Sequence, residues 1–489
     1  MARVTHICLS DLHLGADTAI LTDTPGAEKG GEAVSADPLR TALSEALVAT
    51  ISSLNGNTPP PILPSVVLLG DILDFSLGTP KASISSLTSL LEALTASDAQ
   101  TWLGPFIFVP GNHDHELWTV TRYNAMVGST SGASDYKHTT PAFPGTSPKP
   151  VAAVIDAVLR ANGFKGATTF YPNMGLASAD GRKMVFLHHG HFVESMYRAM
   201  SSLVADLDGD PAISFVVEKL EEYNASWIDF VWSNFGDNGK LGAEVRLGYD
   251  YLLAGREDIR FDHRLGRILA KKMQAALPLP QSGASRQWTL TATNALVDVM
   301  LGNYGQMERF SYFEPLGADA LAGLKDYLRL TVQDQIARER PTAKPDNLTF
   351  IFGHTHKPFE NRVPVPDAPF LPAVYNTGGW DLDMPMFGTK LGAAAVFIDE
   401  DLNVASLRLC KVPRDDLSAS AEVHVATADG TVKGNPMAEA LQKALDATAT
   451  EWSAFRAEAT KAYRVKQVYI IRQMALADRG TAKTRKALR

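Results

Sequence analysis

Five short polar segments, each directly after an apolar run typical of a β-strand, constrain the fold of this chain more than any other feature. Each segment contains Asp, Asn or His, and four of the five contain glycine. Open α/β sheets carry their binding sites at the carboxyl ends of strands. The repetition therefore predicts one polar site built from several strand ends. The segments are Asp11-Leu12-His13, Gly70-Asp71-Ile72-Leu73-Asp74, Gly111-Asn112-His113-Asp114, His188-His189-Gly190-His191 and Gly353-His354-Thr355-His356.

The periodicity between these segments predicts alternating strands and helices. A strand is expected from Val4 to Ser10, followed by a helix from Pro38 to Leu54 with Asp37 as its N-cap. Strands are also expected from Ser65 to Leu69 and from Phe106 to Val109. This alternation is typical of the α/β class. Further strands are expected at Lys183 to Leu187, Leu348 to Phe352, Ala373 to Asn376, Ala393 to Ile398 and Ala405 to Leu409.

The length of the chain predicts more than one simple core, because 489 residues exceed what a single core usually supports. We expect one core with insertions, since two long intervals separate the polar segments. The larger interval is mostly helical in pattern and is expected to form a cap over the site. The predicted parts are a first part of the core at 1–115, a loop and helix insertion at 116–170, core strands at 171–191, a helical cap insertion at 192–345, a second part of the core at 346–412, and a C-terminal helical extension with a basic tail at 413–489.

The composition argues against broad attraction to nucleic acid. Lys and Arg number 46 against 54 Asp and Glu, which gives a formal charge of −8 and a pI near 5.9. No apolar run is long enough to cross a membrane, and the N-terminus lacks the pattern of a secretory signal. Cys8 and Cys410 are too few for a disulfide framework. The prediction is a cytoplasmic protein with buried, inert thiols.

The C-terminal tail departs from this acidic balance. From Arg456 onward ten basic residues are opposed only by Glu458 and Asp478. Such a tail could touch an anionic surface, and a solvated helix face with a frayed end is the alternative.

The residue types in the five segments indicate a site for two divalent metal ions. Any single segment is a weak signal, because a lone His is more often a hydrogen-bonded surface or core residue. Together they supply carboxylate oxygen and imidazole nitrogen, the mixture that a pair of borderline divalent ions requires. Asp11 and His13 are two residues apart at a strand end, so they point the same way and can share one ion. A structural zinc site of the thiolate type is excluded, because the chain offers no cluster of cysteines.

These five segments, in this order, resemble the calcineurin-like metallophosphoesterase family. The resemblance covers roughly residues 3–115, 182–191 and 347–411. It implies a β-sandwich flanked by helices in a four-layer αββα arrangement. It also implies a hydrolase that acts on phosphomonoesters, phosphodiesters or pyrophosphates with two divalent metal ions. Mn, Fe, Zn and Co all tolerate such ligands, so the identity of the metals is left open.

The resemblance assigns a role to nine residues of this chain. Seven match metal ligands: Asp11, His13 and His356 for the first ion, Asn112, His189 and His354 for the second, and Asp71 as the bridge. The other two match catalytic residues. His113 is expected beside the metals, where it would steady the developing charge or protonate the leaving oxygen, and Asp74 would orient it. A purely structural role for His113 is the alternative.

Within the family, Ser10 to Gly15 and Gly353 to Pro358 are most similar to the bacterial UDP-diacylglucosamine pyrophosphohydrolases. Those enzymes usually have His-Gly-Asp where this chain has His189-Gly190-His191, and they are about half as long. Their lipid substrate is therefore not carried over to this chain. His188 and His191 are left as candidates for alternative ligands, for partners of the ligands or for substrate contacts.

Asn376 and Trp380 follow a predicted strand close downstream of the last ligands, so they are candidates to line the substrate cleft. A simple glycine-rich turn is the alternative. The aromatic and Met-rich interval from Phe192 to Phe235 could form an apolar pocket for a lipid or aromatic leaving group, or merely the core of the insertion.

The predicted function is hydrolysis of a phosphate ester or pyrophosphate bond in a small-molecule or lipid-type substrate, by a hydroxide that bridges the two ions. The alternative is a metal-dependent nuclease, which would need a basic channel with stacking aromatics, whereas the basic residues concentrate in the far C-terminal tail. A scaffold that has lost its chemistry is the third hypothesis. It is disfavoured because all seven expected ligands are present. The expected partner is a phosphorylated small molecule or lipid rather than nucleic acid, and the oligomeric state is left open.

Overall fold

Two β-sheets lie face to face in this computed structural model, and helices cover the outer surface of each sheet. The structure describes residues 3–26, 32–128, 138–145, 149–194, 197–198, 201, 204–205, 215–229, 233, 314–368, 370–382, 392–409, 421–427 and 432–487. The strands are β1 (Val4–Leu9), β2 (Ser65–Leu68), β3 (Phe106–Phe108), β4 (Ala167–Thr169), β5 (Asn173–Ala177), β6 (Lys183–His188), β7 (Asn347–Phe352), β8 (Phe359–Arg362), β9 (Ala373–Asn376), β10 (Ala394–Asp399), β11 (Val404–Arg408) and β12 (Glu422–His424). The helices are α1 (Asp37–Leu54), α2 (Pro80–Ala96), α3 (His115–Gly128), α4 (Ala153–Ala161), α5 (Val217–Ile228), α6 (Ala318–Asp326), α7 (Gln333–Glu339), α8 (Pro436–Ala447) and α9 (Ala449–Ala487).

Both sheets are mixed, and each has parallel strands in its interior. The first sheet has the order β12-β11-β10-β1-β2-β3-β4, in which β1 to β4 are parallel and β10 runs antiparallel to β1. The second sheet has the order β5-β6-β7-β9-β8, in which β6, β7 and β9 are parallel. Because the carboxyl ends of parallel strands lie at one edge of a sheet, the loops after these strands come together.

The side-chain alternation of β1 shows how the layers are built. Ile7 belongs to the apolar cluster beneath the helices of the first sheet, and its neighbour Cys8 belongs to the cluster between the two sheets. Burial raises the pKa of the Cys8 thiol, as the prediction of an inert thiol requires. Cys410 lies outside the described residues. Helices, two sheets and helices form four layers, so the predicted αββα sandwich of the α/β class is confirmed.

The predicted strands and helices of the core are present, with one correction at a helix terminus. The N-cap of α1 is Ala36, not Asp37, and no side chain caps the helix. Asp37 is the first residue of α1 because the following proline favours the first turn. Its carboxylate instead accepts a hydrogen bond from Nη1 of Arg40 at 2.8 Å. Four strands had no individual range in the prediction, and all four lie at sheet edges: β4, β5, β8 and β12.

The described part of the predicted cap insertion packs against the second sheet. Leu220 of α5, Leu324 of α6 and Ile336 of α7 share one apolar cluster with Phe186 and Phe350 of the sheet. A π-helical turn, Tyr327–Val332, joins α6 to α7. Several apolar positions of the interval from Phe192 to Phe235 lie outside the described residues, namely Met196, Met200, Leu203, Phe230, Val231, Trp232 and Phe235. The predicted domain boundaries stay predictions.

The C-terminal extension forms α8 and α9, and both pack on the first sheet and its helices. Met437 and Leu441 of α8 and Trp452 and Phe455 of α9 join the apolar cluster that contains α1. Trp452 Nε1 donates a hydrogen bond to Thr50 Oγ1 of α1 at 2.9 Å. Across the part of the chain that the structure describes, no helix combines the length and apolar character needed to span a membrane.

Candidate metal centre

The predicted ligands lie in the loops after β1, β2, β3, β6 and β7. The ligand loops are held in backbone conformations that L-residues rarely adopt. Positive φ angles occur at five of the seven predicted ligands: Asp11 (51°), His13 (45°), Asp71 (51°), His354 (69°) and His356 (57°). Each such residue costs on the order of 1 kcal/mol or more, so the surrounding structure must hold it. Neighbouring loops provide this support, since Asp11 N donates to Gly70 O at 3.0 Å and His13 N donates to Asp71 O at 2.9 Å.

The structure brings Asp11, His13 and His356 together as one ligand group. Their donor atoms lie within 4.8 Å of one another. His13 Nε2 is 3.0 Å from His356 Nε2, and His356 Nε2 is 3.4 Å from Asp11 Oδ1. The backbone N of His354 donates to both oxygens of Asp11, at 2.9 and 3.0 Å, which fixes that carboxylate.

A second ligand group contains Asp71, Asn112, His189 and His354. His189 Nε2 lies at its centre, 3.1 Å from Asn112 Oδ1, 3.1 Å from Asp71 Oδ2 and 3.3 Å from His354 Nδ1. The opposite ring nitrogen of His189, Nδ1, is 3.1 Å from Leu69 O, which turns Nε2 towards the group.

Asp71 connects the two groups. Its Oδ2 atom lies 3.1 Å from His189 Nε2 and 3.7 Å from His13 Nε2, which belong to different groups. Its other oxygen, Oδ1, accepts a hydrogen bond from the backbone N of His113 at 2.8 Å. The carboxylate is therefore fixed between the two groups, where a bridging ligand would have to lie.

The donor set suits a pair of divalent ions. It consists of carboxylate, amide and imidazole donors, and each of the seven side chains is at most 2% exposed. Burial alone would raise the pKa of Asp71, but the imidazoles of His189 and His113 outweigh it and hold this pKa well below its usual range. The carboxylate is therefore ionised near neutral pH, as a metal ligand must be.

The predicted catalytic pair is also present. Asp74 Oδ2 is 3.2 Å from His113 Nδ1, and Ser76 Oγ is 2.6 Å from the same nitrogen. Asp74 Oδ1 accepts hydrogen bonds from the backbone N of Ser76 and Leu77 at 2.9 and 2.7 Å. Burial would raise the pKa of Asp74, but His113 and His13 outweigh it, and this pKa lies well below its usual range. A charged carboxylate thus faces Nδ1 of His113.

Asp114, the last residue of the third polar segment, is a structural residue of the site. Its Oδ2 accepts hydrogen bonds from the backbone N of Ile72 and Leu73, at 2.8 and 3.3 Å, and its Oδ1 accepts one from Gly111 N at 2.7 Å. It therefore ties the loop after β2 to the loop after β3. Its position in the third polar segment is the sequence feature that could have indicated a role in the site.

Within the described part of the predicted insertion, Glu194 and Ser233 contact candidate ligands through polar atoms, and the sequence pattern had not indicated either. Glu194 Oε1 is 3.3 Å from His354 Nε2, on the side of the ring opposite Nδ1. Ser233 Oγ donates a hydrogen bond to the backbone O of Asn112 at 2.9 Å. A carboxylate on the outer nitrogen of a ligating His fixes the ring and raises its basicity.

His188 and His191 lie behind the candidate ligand His189, and neither side chain is exposed. The ring of His188 packs against Phe192, Tyr327 and Phe350. The ring of His191 stacks on Tyr171, with Nε2 3.3 Å from the Tyr171 hydroxyl. Burial lowers the pKa of both imidazoles well below their usual range, so both are neutral. Substrate contact by these residues stays a prediction, while their surroundings favour a packing role.

Asn376 and Trp380 are likewise buried. Asn376 Nδ2 donates to Gly353 O at 2.8 Å, and its Oδ1 accepts from Gly378 N at 2.8 Å, so its amide is committed to the backbone. The indole of Trp380 packs edge-on against Phe455 of α9. Their role in substrate binding stays a prediction, and these contacts favour support of the ligand loops.

A buried charge cluster joins α3 to α5 beside the metal centre. His115 Nδ1 is 2.7 Å from Asp229 Oδ1, and His115 Nε2 is 2.9 Å from Glu221 Oε1. Tyr171 donates its hydroxyl to Glu221 Oε2 at 2.8 Å. Burial would lower the pKa of His115, but the two carboxylates outweigh it and raise this pKa to about 10. The cluster therefore anchors the insertion to the core through a buried imidazolium.

Comparison with known proteins agrees with this geometry. The family model described as calcineurin-like phosphoesterase matches residues 5–255, just over half of the chain. No curated protein matches the chain. Among solved structures, a dimetal phosphatase from Danio rerio is similar at 13% identity, with 83% of this chain and 96% of that chain covered and a TM-score of 0.28. A TM-score that low says nothing about the reaction of this chain. The family match and the two buried ligand groups show that the chain belongs to the calcineurin-like phosphoesterases, hydrolases of phosphoester bonds.

Proposed function

We propose that the chain hydrolyses a phosphate ester or pyrophosphate bond in a small-molecule or lipid-type substrate, and that it uses two divalent ions. The observation that carries this proposal is the position of Asp71 Oδ2, between His13 of one ligand group and His189 of the other. Asp11, His13 and His356 would hold the first ion, and Asn112, His189 and His354 the second. Two ions bound there would supply an activated water and neutralise the charge of the phosphate oxygens.

His113 is the proposed general acid. The carboxylate of Asp74 faces its Nδ1 and can only accept a hydrogen bond, an arrangement that favours a donor on this edge of the ring. In its doubly protonated form the ring would give the proton on Nε2, at the opposite edge, to the leaving oxygen and would keep the one on Nδ1. Proton donation of this kind typically contributes about a hundredfold or more to the rate.

The contacts of the insertion support a small or lipid-type substrate. Glu194 and Ser233 contact His354 and Asn112 from the insertion, which supports a cap close to one ligand group. A cap that close to the ligands favours a substrate that can enter a covered site over a long polymer. The net charge of −8 further disfavours a polyanionic nucleic acid. For the basic C-terminal tail we propose at most a weak contact with an anionic surface.

A metal-reconstituted substrate screen tests the proposal. Separate samples loaded with Mn, Fe, Zn or Co would be assayed against a bis-aryl phosphate, an aryl phosphate, nucleoside diphosphate conjugates and single-stranded DNA. Metal content would be measured on the same samples. The matched control is Asp71→Ala, which should lose both metal and turnover, because the groups share this carboxylate.

The outcomes separate the alternatives. Turnover of the small esters or the diphosphate conjugates, with about two ions bound per chain, would support the proposal. Cleavage of DNA alone would favour the nuclease instead. Purified active enzyme without tightly bound transition metal would contradict the assignment of the ligands.

A further inference from the structure

The C-terminal helix α9 contacts the loop after β1 through a buried lysine. Lys466 is 1% exposed. Its Nζ donates hydrogen bonds to the backbone O of Asp17 at 2.8 Å and of Thr22 at 2.7 Å. One turn further along α9, Tyr469 donates its hydroxyl to Asp17 Oδ2 at 2.7 Å. The helix therefore holds segment 17–22, which follows the Asp11-Leu12-His13 motif.

The two carbonyls lie at the two ends of segment 17–22, so one ammonium group fixes the span of the whole segment. A buried ammonium requires such partners, because an unpaired charge in the interior is strongly disfavoured. Arg40 of α1 supports the same segment from another side, since its Nε donates to Leu21 O at 3.0 Å. Arg40 is 2% exposed. Two buried cations thus hold a loop that has no regular secondary structure of its own.

Segment 17–22 in turn supports the segment that contacts Asp11. Ile20 N donates to Trp380 O at 2.8 Å, and Leu382 N donates to Thr18 O at 3.2 Å. Trp380 N then donates to the backbone O of Asp11 at 2.9 Å. Three sets of hydrogen bonds, joined by the backbone of segment 17–22 and of Trp380, therefore connect Lys466 to the candidate ligand Asp11.

A second contact reaches the same segment directly. The ring of Phe455, also on α9, packs edge-on against the indole of Trp380 with centroids 6.4 Å apart, and both side chains are fully buried. The helix thus touches residues 380–382 through Phe455 and supports them through Lys466. Both contacts come from a part of the chain outside the matched residues 5–255.

We infer that α9 supports the geometry of the metal centre, and that Lys466 is a positioning residue for the first metal ion. It acts by holding Asp11 in its left-handed conformation, through segment 17–22 and Trp380. The inference rests on the ligand assignment of the proposed function. Lys466 is expected to affect the metal affinity of the group of Asp11, His13 and His356, and not that of the group centred on His189.

The test measures the two metal affinities separately. Co²⁺ titrations, followed by absorption spectroscopy and calorimetry, would compare the wild-type protein with Lys466→Met, Tyr469→Phe and Lys466→Arg. His356→Ala and His354→Ala would identify which binding step belongs to which group. The matched control is Arg464→Met, which removes an exposed charge from the same helix.

We expect Lys466→Met to weaken one binding step, the one lost in His356→Ala, by up to about tenfold, the lower end of the range for removing a group that bonds a metal ligand directly. The other step and the Arg464→Met protein should be unchanged. Lys466→Arg should recover part of the loss, because it keeps the charge. Tyr469→Phe removes one hydroxyl only, so it should fold and weaken the same step to a lesser degree.

Two results would overturn the inference. The first is that Lys466→Met weakens both metal-binding steps equally and lowers the melting temperature to a matching degree. This result would show a merely structural role. The second is unchanged affinity in both Lys466→Met and Tyr469→Phe; if Lys466→Met fails to fold, unchanged affinity in Tyr469→Phe alone decides. Failure of the wild-type protein to bind two ions would instead contradict the proposed function itself.

Discussion

Asp74 Oδ2 lies 2.7 Å from His13 Nδ1, on the ring edge opposite the nitrogen that faces His356. The same oxygen is 3.2 Å from Nδ1 of His113. One carboxylate therefore orients a candidate metal ligand as well as the candidate general acid. The family resemblance had implied only the second of these roles.

The Asp74→Asn substitution should weaken metal binding as well as the rate. An amide can still pair with one imidazole, but it does not raise the basicity of His13 as a carboxylate does. We expect metal affinity to fall about tenfold to a hundredfold, measured by competition with a chelator. Ser76→Ala is the control, because it removes a hydroxyl that contacts Asp74 and His113 and leaves the carboxylate on His13 in place. Unchanged metal affinity in Asp74→Asn would assign it to His113 alone.

The His113→Ala substitution should leave metal binding intact and slow turnover. Its ring lies beside the ligands, with Nδ1 held by Asp74 and Ser76. We expect kcat to fall about a hundredfold or more, as for loss of a general acid, with two ions still bound. Substrates with good leaving groups should lose less, because they need no proton. A variant that keeps full rate on an alkyl ester would refute this role.

The Gly353→Ala substitution should remove metal binding while the chain still folds. A Cβ atom at this position would overlap the carboxylate of Asp11 and the side chain of Ser10. The first ligand group would therefore be displaced, although the buried clusters between and outside the sheets stay intact. Metal analysis and circular dichroism would test this. Gly145→Ala is the control, because its Cβ would meet no atom within 4 Å; normal metal content in Gly353→Ala would contradict the prediction.

The His115 cluster should make stability depend on alkaline pH. The folded-state pKa of His115 is raised to about 10 from an ordinary value of 6.5. Its contribution is therefore complete below about pH 6.5 and is lost as the pH rises towards 10. The slope is at most about 1.4 kcal/mol per pH unit. Urea unfolding at pH 6.5, 8 and 9.5 should show that His115→Gln flattens this decline.

His6→Gln is the matched control for that measurement. Burial lowers the pKa of His6 to about 4, so its contribution is lost only as the pH falls from 6.5 towards 4. Above pH 7 this imidazole is neutral in both the folded and unfolded states. Its variant should therefore keep the alkaline slope of the wild-type protein. Parallel slopes for wild type and His115→Gln would show that the buried imidazolium does not contribute.

The interior strands were predictable from the sequence, whereas the edge strands were not. Interior strands such as β7 and β10 are buried on both faces, so they read as apolar runs that stop at polar turns. Edge strands are covered less, and β12 has only half-buried residues. Their residues lack both a continuous apolar run and a clear alternation. An edge strand is defined by its pairing with a neighbouring strand, and the local sequence pattern carries no information about that pairing.

The same limit applies to the site. The five segments contain all seven predicted ligands, and the structure gathers them into two adjoining groups. The contacts that hold them come from far along the chain: Glu194 lies 160 residues before its partner His354 and Lys466 lies 449 residues after Asp17. Neither residue stands in a motif, because any carboxylate or ammonium at the right place in the fold would serve.

The left-handed backbone of five ligands bears on whether this centre could be transplanted. An isolated peptide carrying residues 10–15 or 353–358 would relax to extended or right-handed conformations. The left-handed conformation brings Cβ close to the following carbonyl oxygen, and in the peptide no neighbouring loop would offset that cost. Its imidazoles and carboxylates would then diverge, and the peptide would chelate no better than a random one of like composition. Grafting these motifs into a designed scaffold would therefore require the supporting loops and both sheets, because the motif sequences alone do not determine the backbone geometry.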